Sequence, residues 1–324
     1  MIEKIAFSII PMVSGVGAAS PQRTPGSAHF AELVRRQLPT PFQVLEEAPP
    51  TLTKVIVRSI PFRTMSFNIR WDDTEKYAWK DRKERVSSII HFHKPDLIGL
   101  QEPFSNQLMD LVDALPQYEC FRGIGLPHEE KGSHAHNPIF YSKERFELLK
   151  GGFFFLSPTP DQPTVGWNAS ILRSVSWVHL KDTYTNKDVY FFNTHFDYFS
   201  KLAREESAPL LRQKIEEIAG KKPFIVAGDF NLFPNLGGPE TLRLLTEPQG
   251  PGRALTDAST VTQKPHHGPT GSWSGFKEAG QPGIKPDFIF IGGGVTVLSH
   301  GILADTFDGQ YASDHLPVVA DLSL

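Results

Sequence analysis

Only one cysteine, Cys120, occurs in the 324 residues. A single cysteine excludes an intrachain disulfide, a CxxC redox pair and a cysteine cage for zinc. Cys120 itself, between Glu119 and Phe121, reads as a small core residue. A surplus of positive charge is also missing: 33 Lys and Arg stand against 36 Asp and Glu, a net charge of −3. Proteins that coat nucleic acid draw most of their affinity from neutralised phosphates and are basic. That class is excluded, although a local basic rim would still admit a nucleic-acid substrate. No Walker loop and no GxGxxG is present, so neither common nucleotide-phosphate cradle applies. Gly271-Ser272-Trp273-Ser274-Gly275 has tryptophan at its centre and is no nucleophile elbow. No internal repeat occurs.

Long apolar runs are absent as well. The nearest is residues 5–19, which Ser8, Pro11 and Ser14 interrupt. It is too short for a transmembrane helix, so no stable membrane span is expected. Its small residues, with Val16-Gly17-Ala18 as a cleavage site, would suit a signal peptide, but Glu3 cancels the charge of Lys4. The expectation is a cytoplasmic protein, with secretion the alternative if residues 1–19 are a leader. Residues 1–60 as a whole read as an N-terminal extension or leader. Residues 28–38 have helical spacing (Phe30, Leu33, Val34, Leu38), and Pro39, Pro41, Pro49 and Pro50 follow.

What is present begins at Arg63. Apolar, β-prone runs recur at 64–69, 97–100, 138–141, 153–156, 175–180, 189–193, 224–227, 288–291, 295–298 and 316–322, with helical stripes at 85–93 and 210–218. Many strands with few long helices predict packed sheets covered by helices. The polar residues fall at the ends of these runs. Asn68 closes the first, Glu102 follows the second, His195 ends another, Asp229 and Asn231 end the next, and Asp314-His315 precedes the last. Five such strand ends predict one functional rim.

A carboxylate at the end of a buried run must be hydrated, paired or bound to a cation. Glu102 alone would read as a salt bridge; with Asp229 and Asp314 it makes three oxygen ligands on separate strands. That suits Mg²⁺, which keeps waters for its substrate, and Mn²⁺ takes the same ligands. In Gly228-Asp229-Phe230-Asn231 an extended chain would put Asp229 and Asn231 on one side, although Asp-Xaa-Asn also suits a simple Asx turn. His195 and His315 are candidates for stabilising charge on phosphoryl oxygens, with Asp287 as the carboxylate that orients His315. His128, His134, His136 and the pair His266-His267 read as solvated loop residues. Trp167, Trp273 and Phe276 are candidates for stacking on a base, though such aromatics are more often core.

The ordered set Met65-Ser66-Phe67-Asn68, Leu100-Gln101-Glu102, Asn193-Thr194-His195-Phe196-Asp197, Gly228-Asp229-Phe230-Asn231, Asp287-Phe288-Ile289-Phe290 and Ser313-Asp314-His315-Leu316-Pro317-Val318 resembles the endonuclease/exonuclease/phosphatase superfamily. The resemblance covers residues 63–324. It implies a domain over 61–324 with a four-layer α/β/β/α sandwich of two mostly antiparallel sheets. It further implies that Glu102, Asn68 and Asp314 lie at the metal. Asp229, assisted by Asn231, positions the attacking water, and His195 and His315 stabilise the phosphoryl group. The stretches around Phe140-Tyr141, Phe155-Leu156-Ser157-Pro158 and Trp167 to Trp177 resemble the bacterial branch related to deadenylases and nocturnin. That branch implies Arg173 as a substrate contact facing phosphate, beside Asn68, which the superfamily resemblance implies as a phosphate as well as a metal ligand. It commonly has an acid shortly before the Pro-Ile-Phe-Tyr run, where this chain has Ser133-His134-Ala135-His136-Asn137.

The expected activity is a Mg²⁺-dependent phosphoesterase acting on a phosphodiester or phosphomonoester, with RNA, DNA or a nucleotide as substrate. The alternatives are a lipid-type enzyme acting on inositol phosphate or sphingomyelin, and a catalytically silent binding module.

Overall fold

The computed structural model describes residues 60–73, 76–124, 137–277 and 279–324, all within the compact unit Val57–Leu324. The expected extension, its helix at 28–38, and His128, His134 and His136 lie outside the described residues. Twelve strands are described: β1 (Phe62–Asn68), β2 (Leu97–Gln101), β3 (Tyr118–Phe121), β4 (Ile139–Ser142), β5 (Phe146–Phe155), β6 (Ser174–Asp182), β7 (Lys187–His195), β8 (Phe224–Asp229), β9 (Thr256–Asp257), β10 (Asp287–Gly292), β11 (Thr296–Ile302) and β12 (Val318–Ser323). They form two six-stranded sheets, ordered β11-β12-β1-β2-β4-β3 and β5-β6-β7-β8-β10-β9. Pairing is antiparallel except for β1 with β2 and β7 with β8, a parallel pair near the middle of each sheet.

Three separate cores define the layers. Phe62, Leu97, Val178, Phe191, Ile225, Ala227, Ile289 and Val318 fill the space between the sheets. Met65, Phe67, Ile98 and Leu100 face away from it and pack on helices α1 (Lys83–His93) and α2 (Ser105–Ala114) through Val86, Ile89, Ile90, Leu108 and Leu111. Phe192, Val226 and Phe290 pack on α3 (Lys201–Ala219) and α4 (Gly238–Thr246) through Leu211, Ile215 and Leu245. Successive residues of one strand thus enter different cores, as Ile225 and Val226 do. A strand buried on both faces has no polar alternation, which is why these segments read as unbroken apolar runs. The expected α/β/β/α sandwich is what the chain forms.

Several elements escaped the sequence reading. Helix α3 begins nine residues before the expected stripe, because Pro209 lies inside it and an internal proline reads as a break. Strand β5 begins at Phe146 rather than 153; half of its length is exposed edge, and a register shift falls between Leu148 and Lys150. The short elements β3, β9, α2 and α4 lack a long enough period to stand out. Among the described residues no helix is long and apolar enough to cross a membrane.

Polar side chains cross the inter-sheet core near the rim. Asn193 on β7 donates from Nδ2 to the carbonyls of Leu100 (2.8 Å) and Pro138 (2.9 Å), and its Oδ1 accepts from Gln101 Nε2 at 2.7 Å. Gly99 makes this approach possible: a Cβ there would lie 2.7 Å from Asn193 Oδ1. The amide therefore ties the strand that carries Glu102 to the strand that carries His195. Replacing it by alanine removes one partner from each of three buried polar groups, although Gln101 Nε2 keeps Ser66 Oγ and the Gly99 carbonyl, and the Pro138 carbonyl keeps the Leu100 N–H. Asn193→Ala is expected to lower stability by roughly 1–3 kcal/mol, measured by urea unfolding. An unchanged midpoint would contradict the tie.

Candidate active site

The strand ends meet as expected. Register places Asn68 beside Gln101, His195 beside Asp229, and Asp287 beside Asp229. Because β10 runs antiparallel to β8, its first residue meets the last residue of β8, and two carboxylates become neighbours. Asn68, Glu102, Arg173, His195, Asp229, Asn231, Asp287, Asp314 and His315 are all buried.

Asp229 is the hub. Its Oδ2 accepts from Asn68 Nδ2 at 2.9 Å and lies 3.4 Å from His195 Nε2 and 3.7 Å from His315 Nε2. Its Oδ1 accepts the backbone N–H of Asn231 at 2.9 Å. Asn231 has φ 51°, so the chain turns here and is not the extended pair the sequence suggested. The Asx turn and the functional reading are one geometry: Asn231 caps Asp229 through its backbone, while Nδ2 reaches Phe196 O (2.9 Å) and His195 Nε2 (3.1 Å). Burial pushes the Asp229 carboxyl up to about 7, only partly offset by His315.

His315 is oriented as expected. Nδ1 lies 2.8 Å from Asp287 Oδ2, which also accepts Ser272 Oγ at 2.6 Å. Burial works against charge on the imidazole, but Asp287 and Asp229 overcome it and raise its pKa to about 10. His315 is therefore an imidazolium, with Nε2 turned towards Asp229.

Glu102 follows β2 at φ 65°, a left-handed conformation that costs a non-glycine residue about 1–3 kcal/mol. Its Oε1 accepts from Asn68 Nδ2 (3.0 Å) and its Oε2 from the Trp71 backbone (3.2 Å). Burial first, then Asp314, raise its pKa. Asn68 accordingly acts as a donor to both Glu102 and Asp229, with its Oδ1 accepting the Arg70 N–H at 3.0 Å.

A divalent cation fits this donor set. Glu102, His195 and Asp229 each offer a ligand atom within 4.8 Å of one another, and Asp229, Asp287 and His315 form a second such group. Four buried carboxylates, two of them with raised pKa, call for added positive charge, and oxygen-rich sites favour hard ions. Glu102 and Asp229, with His195 beside them, are the residues that would hold it. Asp314 belongs to neither group; its Oδ2 faces Arg70 at 3.6 Å and its Oδ1 is 3.3 Å from Ser313 Oγ.

Arg173 is buried, with Nε 3.4 Å from Asp197 Oδ2 and Nη1 without any hydrogen-bond partner. An unpaired guanidinium nitrogen in a buried site is a ready anion contact. Asp197 is fixed by Ser170 and by the backbone of Phe199 and Ser200. The sequence reading missed it as a functional residue, although it closes the His195 motif.

Arg70 was missed too. It has φ 59°; its carbonyl accepts from Arg82 and Gln107, and its guanidinium lies 3.3 Å over the Trp71 ring. That guanidinium donates no hydrogen bond among the described residues. Buried Arg82 fixes this loop, donating to carbonyls of Ile69, Arg70, Trp71, Tyr77 and Ala312. No periodicity announces such a residue.

Of the weaker candidates, Trp273 packs edge-to-face on His315 at 4.9 Å. Phe276 stacks on Tyr77 at 3.9 Å, so a ring of this chain covers one of its faces. Trp167 is half-buried, its carbonyl accepting Ser200 Oγ. His266 is not a solvated residue: its Nδ1 lies 2.9 Å from His300 Nδ1, whose ring burial holds neutral. Cys120 packs against the α1–α2 core, and burial pushes its thiol up to about 12.

The raised pKa of Asp229 has a measurable consequence. A group whose folded pKa lies above its unfolded value near 3.8 contributes stability at low pH and loses it as pH rises through about 7. In the presence of EDTA the melting temperature should therefore fall from about pH 4 to 7. Asp229→Asn should make that fall shallower, leaving the loss above pH 6.5 that the raised pKa of His315 contributes, and added divalent cation should reverse the Asp229 part. A flat profile in the unmodified protein would contradict the assignment.

Comparison with known proteins agrees with this geometry. A model of the Endonuclease/Exonuclease/phosphatase family matches residues 65–315. The crystal structure of a Bacteroides vulgatus endonuclease/exonuclease/phosphatase is 33% identical, covers 82% of this chain and 99% of its own, and superposes with a TM-score of 0.71. The mannosyl-6-phosphatase of Bacteroides thetaiotaomicron is 29% identical, covers 81% of this chain and 100% of its own, with a TM-score of 0.71. The human nocturnin catalytic domain shares the fold at 21% identity, 81% and 94% coverage and a TM-score of 0.59. An uncharacterized protein of Acanthamoeba polyphaga mimivirus is 29% identical over 48% of this chain; the chain spans 60% of that relative's length. The family match runs from the strand carrying Asn68 to His315 itself, and the chain belongs to the endonuclease/exonuclease/phosphatase family.

Proposed function

We propose that the protein is a divalent-cation-dependent phosphoesterase in which Asp229 prepares a water for attack on phosphorus. The observation that carries this is the convergence on one carboxylate of an amide, two histidines and a backbone N–H, with its pKa lifted to about 7. A cation bound beside it would hold Asp229 ionised, the form that can accept a proton from water. A cation bound at Glu102 would supply polarisation of the phosphoryl group and neutralise the leaving oxygen. His315, kept protonated by Asp287, donates from Nε2 to a phosphoryl oxygen. Arg173 offers Nη1 to a second oxygen. Asn68 keeps Glu102 and Asp229 apart while orienting both, and Asn231 holds His195 in place. Every expected catalytic position is filled, which argues against a silent binding module.

Within this class we favour a compact phosphomonoester, a sugar phosphate or a nucleotide, over a polynucleotide. Two guanidiniums with donors to spare, Arg70 and Arg173, suit the extra charge of a monoester dianion. The chain lacks the basic surplus of a polynucleotide binder. The similarity to a mannosyl-6-phosphatase over that protein's whole length supports the same reading.

Turnover should require Mg²⁺ or Mn²⁺ and stop in EDTA. Asp229→Asn should lower kcat/KM by about 10³-fold or more, and His315→Gln by roughly 10²–10³-fold. A panel of sugar phosphates, nucleoside monophosphates, oligonucleotides, inositol phosphates and sphingomyelin tests the choice of substrate. Faster turnover of oligonucleotides or of the lipid-type substrates than of any small monoester would overturn it. Cation-independent hydrolysis would overturn the mechanism.

A further inference from the structure

Five aromatic rings run in contact outward from the catalytic centre. The Trp273 ring packs on His315 at 4.9 Å, Phe233 on Trp273 at 5.8 Å, Tyr198 on Phe233 at 5.9 Å, and Phe199 on Tyr198 at 5.1 Å. Each contact is edge-to-face, with interplanar angles of 78–88°. Counting His315 as the first, the row runs from the catalytic centre to the exposed ring of Phe199. Each ring stands one or two residues along the chain from a residue already placed in the catalytic network. Tyr198 and Phe199 follow Asp197, the partner of Arg173. Phe233 follows Asn231 by two, and Trp273 follows Ser272, which bonds Asp287.

Packing of the fold does not account for this row. Phe199 is 76% exposed and Tyr198 45% exposed, while Phe233 and Trp273 are half-buried. None of the four belongs to the three cores. Leaving such rings in water costs hydrophobic free energy, and exposed aromatics beside a catalytic pocket commonly mark recognition. The four rings beyond His315 are also uncharged. The nearest cation along the chain, Lys201, is paired with Glu205 at 3.2 Å, and the guanidiniums of Arg70 and Arg173 lie against Asp314 and Asp197 at 3.6 and 3.4 Å. Charge and apolar surface are thus segregated: phosphate on one side, an uncharged group on the other.

We propose that Trp273, Phe233, Tyr198 and Phe199 form a subsite for the leaving group, and that this group carries a ring with a flat apolar face. The proposal rests on the phosphoesterase reading and adds the chemistry of the organic half of the substrate. A hexopyranose presents C–H groups on one face and a nucleobase presents a π-face; both stack on aromatic side chains. A glycerol chain offers neither.

The test compares mannose 6-phosphate, adenosine 5′-monophosphate and glycerol 3-phosphate as substrates of the full chain with Mg²⁺. A second measurement follows their binding to Asp229→Asn by calorimetry and tryptophan fluorescence. At least one ring-bearing phosphate should surpass glycerol 3-phosphate by about tenfold or more in kcat/KM and in affinity. The double substitution Tyr198→Ser with Phe199→Ser should remove most of that preference by raising KM, and both side chains are exposed enough for the variant to fold. Tryptophan fluorescence should respond to the preferred ring compound, and the response should be lost in Trp273→Phe. If mannose 6-phosphate is preferred the subsite takes a sugar; if the adenosine compound is preferred it takes a base. Equal handling of all three phosphates, or a preference that survives the double substitution, overturns the subsite while leaving phosphoester hydrolysis intact. Absence of cation-dependent turnover overturns the hydrolase reading. In that case a ring preference in the binding measurement alone would still uphold the subsite, and its absence would end it.

Discussion

Burying the Asp229 carboxylate at the junction of two sheets is the constraint from which the rest of the site follows. An unpaired carboxylate in such a place is costly, and here three other acids, Glu102, Asp287 and Asp314, are buried close by. The protein meets this with a graded set of partners. Neutral amides stand between acids: Asn68 separates Glu102 from Asp229. An imidazolium stands between Asp287 and Asp229. Burial, with the charge of the neighbouring acids Asp314 and Asp287 added to it, raises the pKa of Glu102 and Asp229, and a divalent cation would offset this. On the proposed reading, this electrostatic misfit is the physical basis for binding a metal.

The fold serves this arrangement by bringing equivalent strand ends together. Each sheet holds a parallel pair near its middle, β1 with β2 and β7 with β8. Parallel neighbours end at the same edge, so Asn68 with Glu102 and His195 with Asp229 arise as pairs. Asn193 and Gln101, crossing the core just beneath, hold the two pairs at a fixed separation. The loops above are held by buried arginines rather than by regular structure. Arg82 fixes the Arg70–Trp71 turn against Ala312, and Arg204 donates to the carbonyls of Asp197 and Tyr198 at the opposite margin. Non-glycine residues with positive φ sit where these loops leave the strands, at Arg70, Glu102 and Asn231, which is strain placed at the functional rim.

What could be read from the sequence follows from these facts. Strands buried on both faces give unbroken apolar runs, and the acid, amide or histidine that interrupts each run marks its functional end; Asn68, Glu102, His195 and Asp229 were legible for that reason. The orienting of His315 by Asp287 was legible from the resemblance and a strand-head carboxylate. Residues that act from irregular loops were not. Arg70 and Ser272 have no period to place them, and Asp197 stands among aromatics in a turn, where an acid is unremarked. The geometry of Asn231 was misjudged, because two residues apart implies one face only if the chain is extended, and here it turns. Pro209 concealed the first half of α3 for the opposite reason: a local rule was overridden by a helix packed along its length.

The most direct test of this account is the number of protons released when the cation binds. Titration calorimetry at pH 6 to 6.5, in buffers of differing ionisation enthalpy, counts them. If burial holds Asp229 near pH 7 in the protein alone, Mg²⁺ binding must expel its proton, because a ligand carboxylate is deprotonated. Net release should be a substantial fraction of a proton, should fade above pH 8, and should largely disappear in Asp229→Asn. Cation binding without proton release, or release that is the same in Asp229→Asn, would contradict the central place given to this carboxylate.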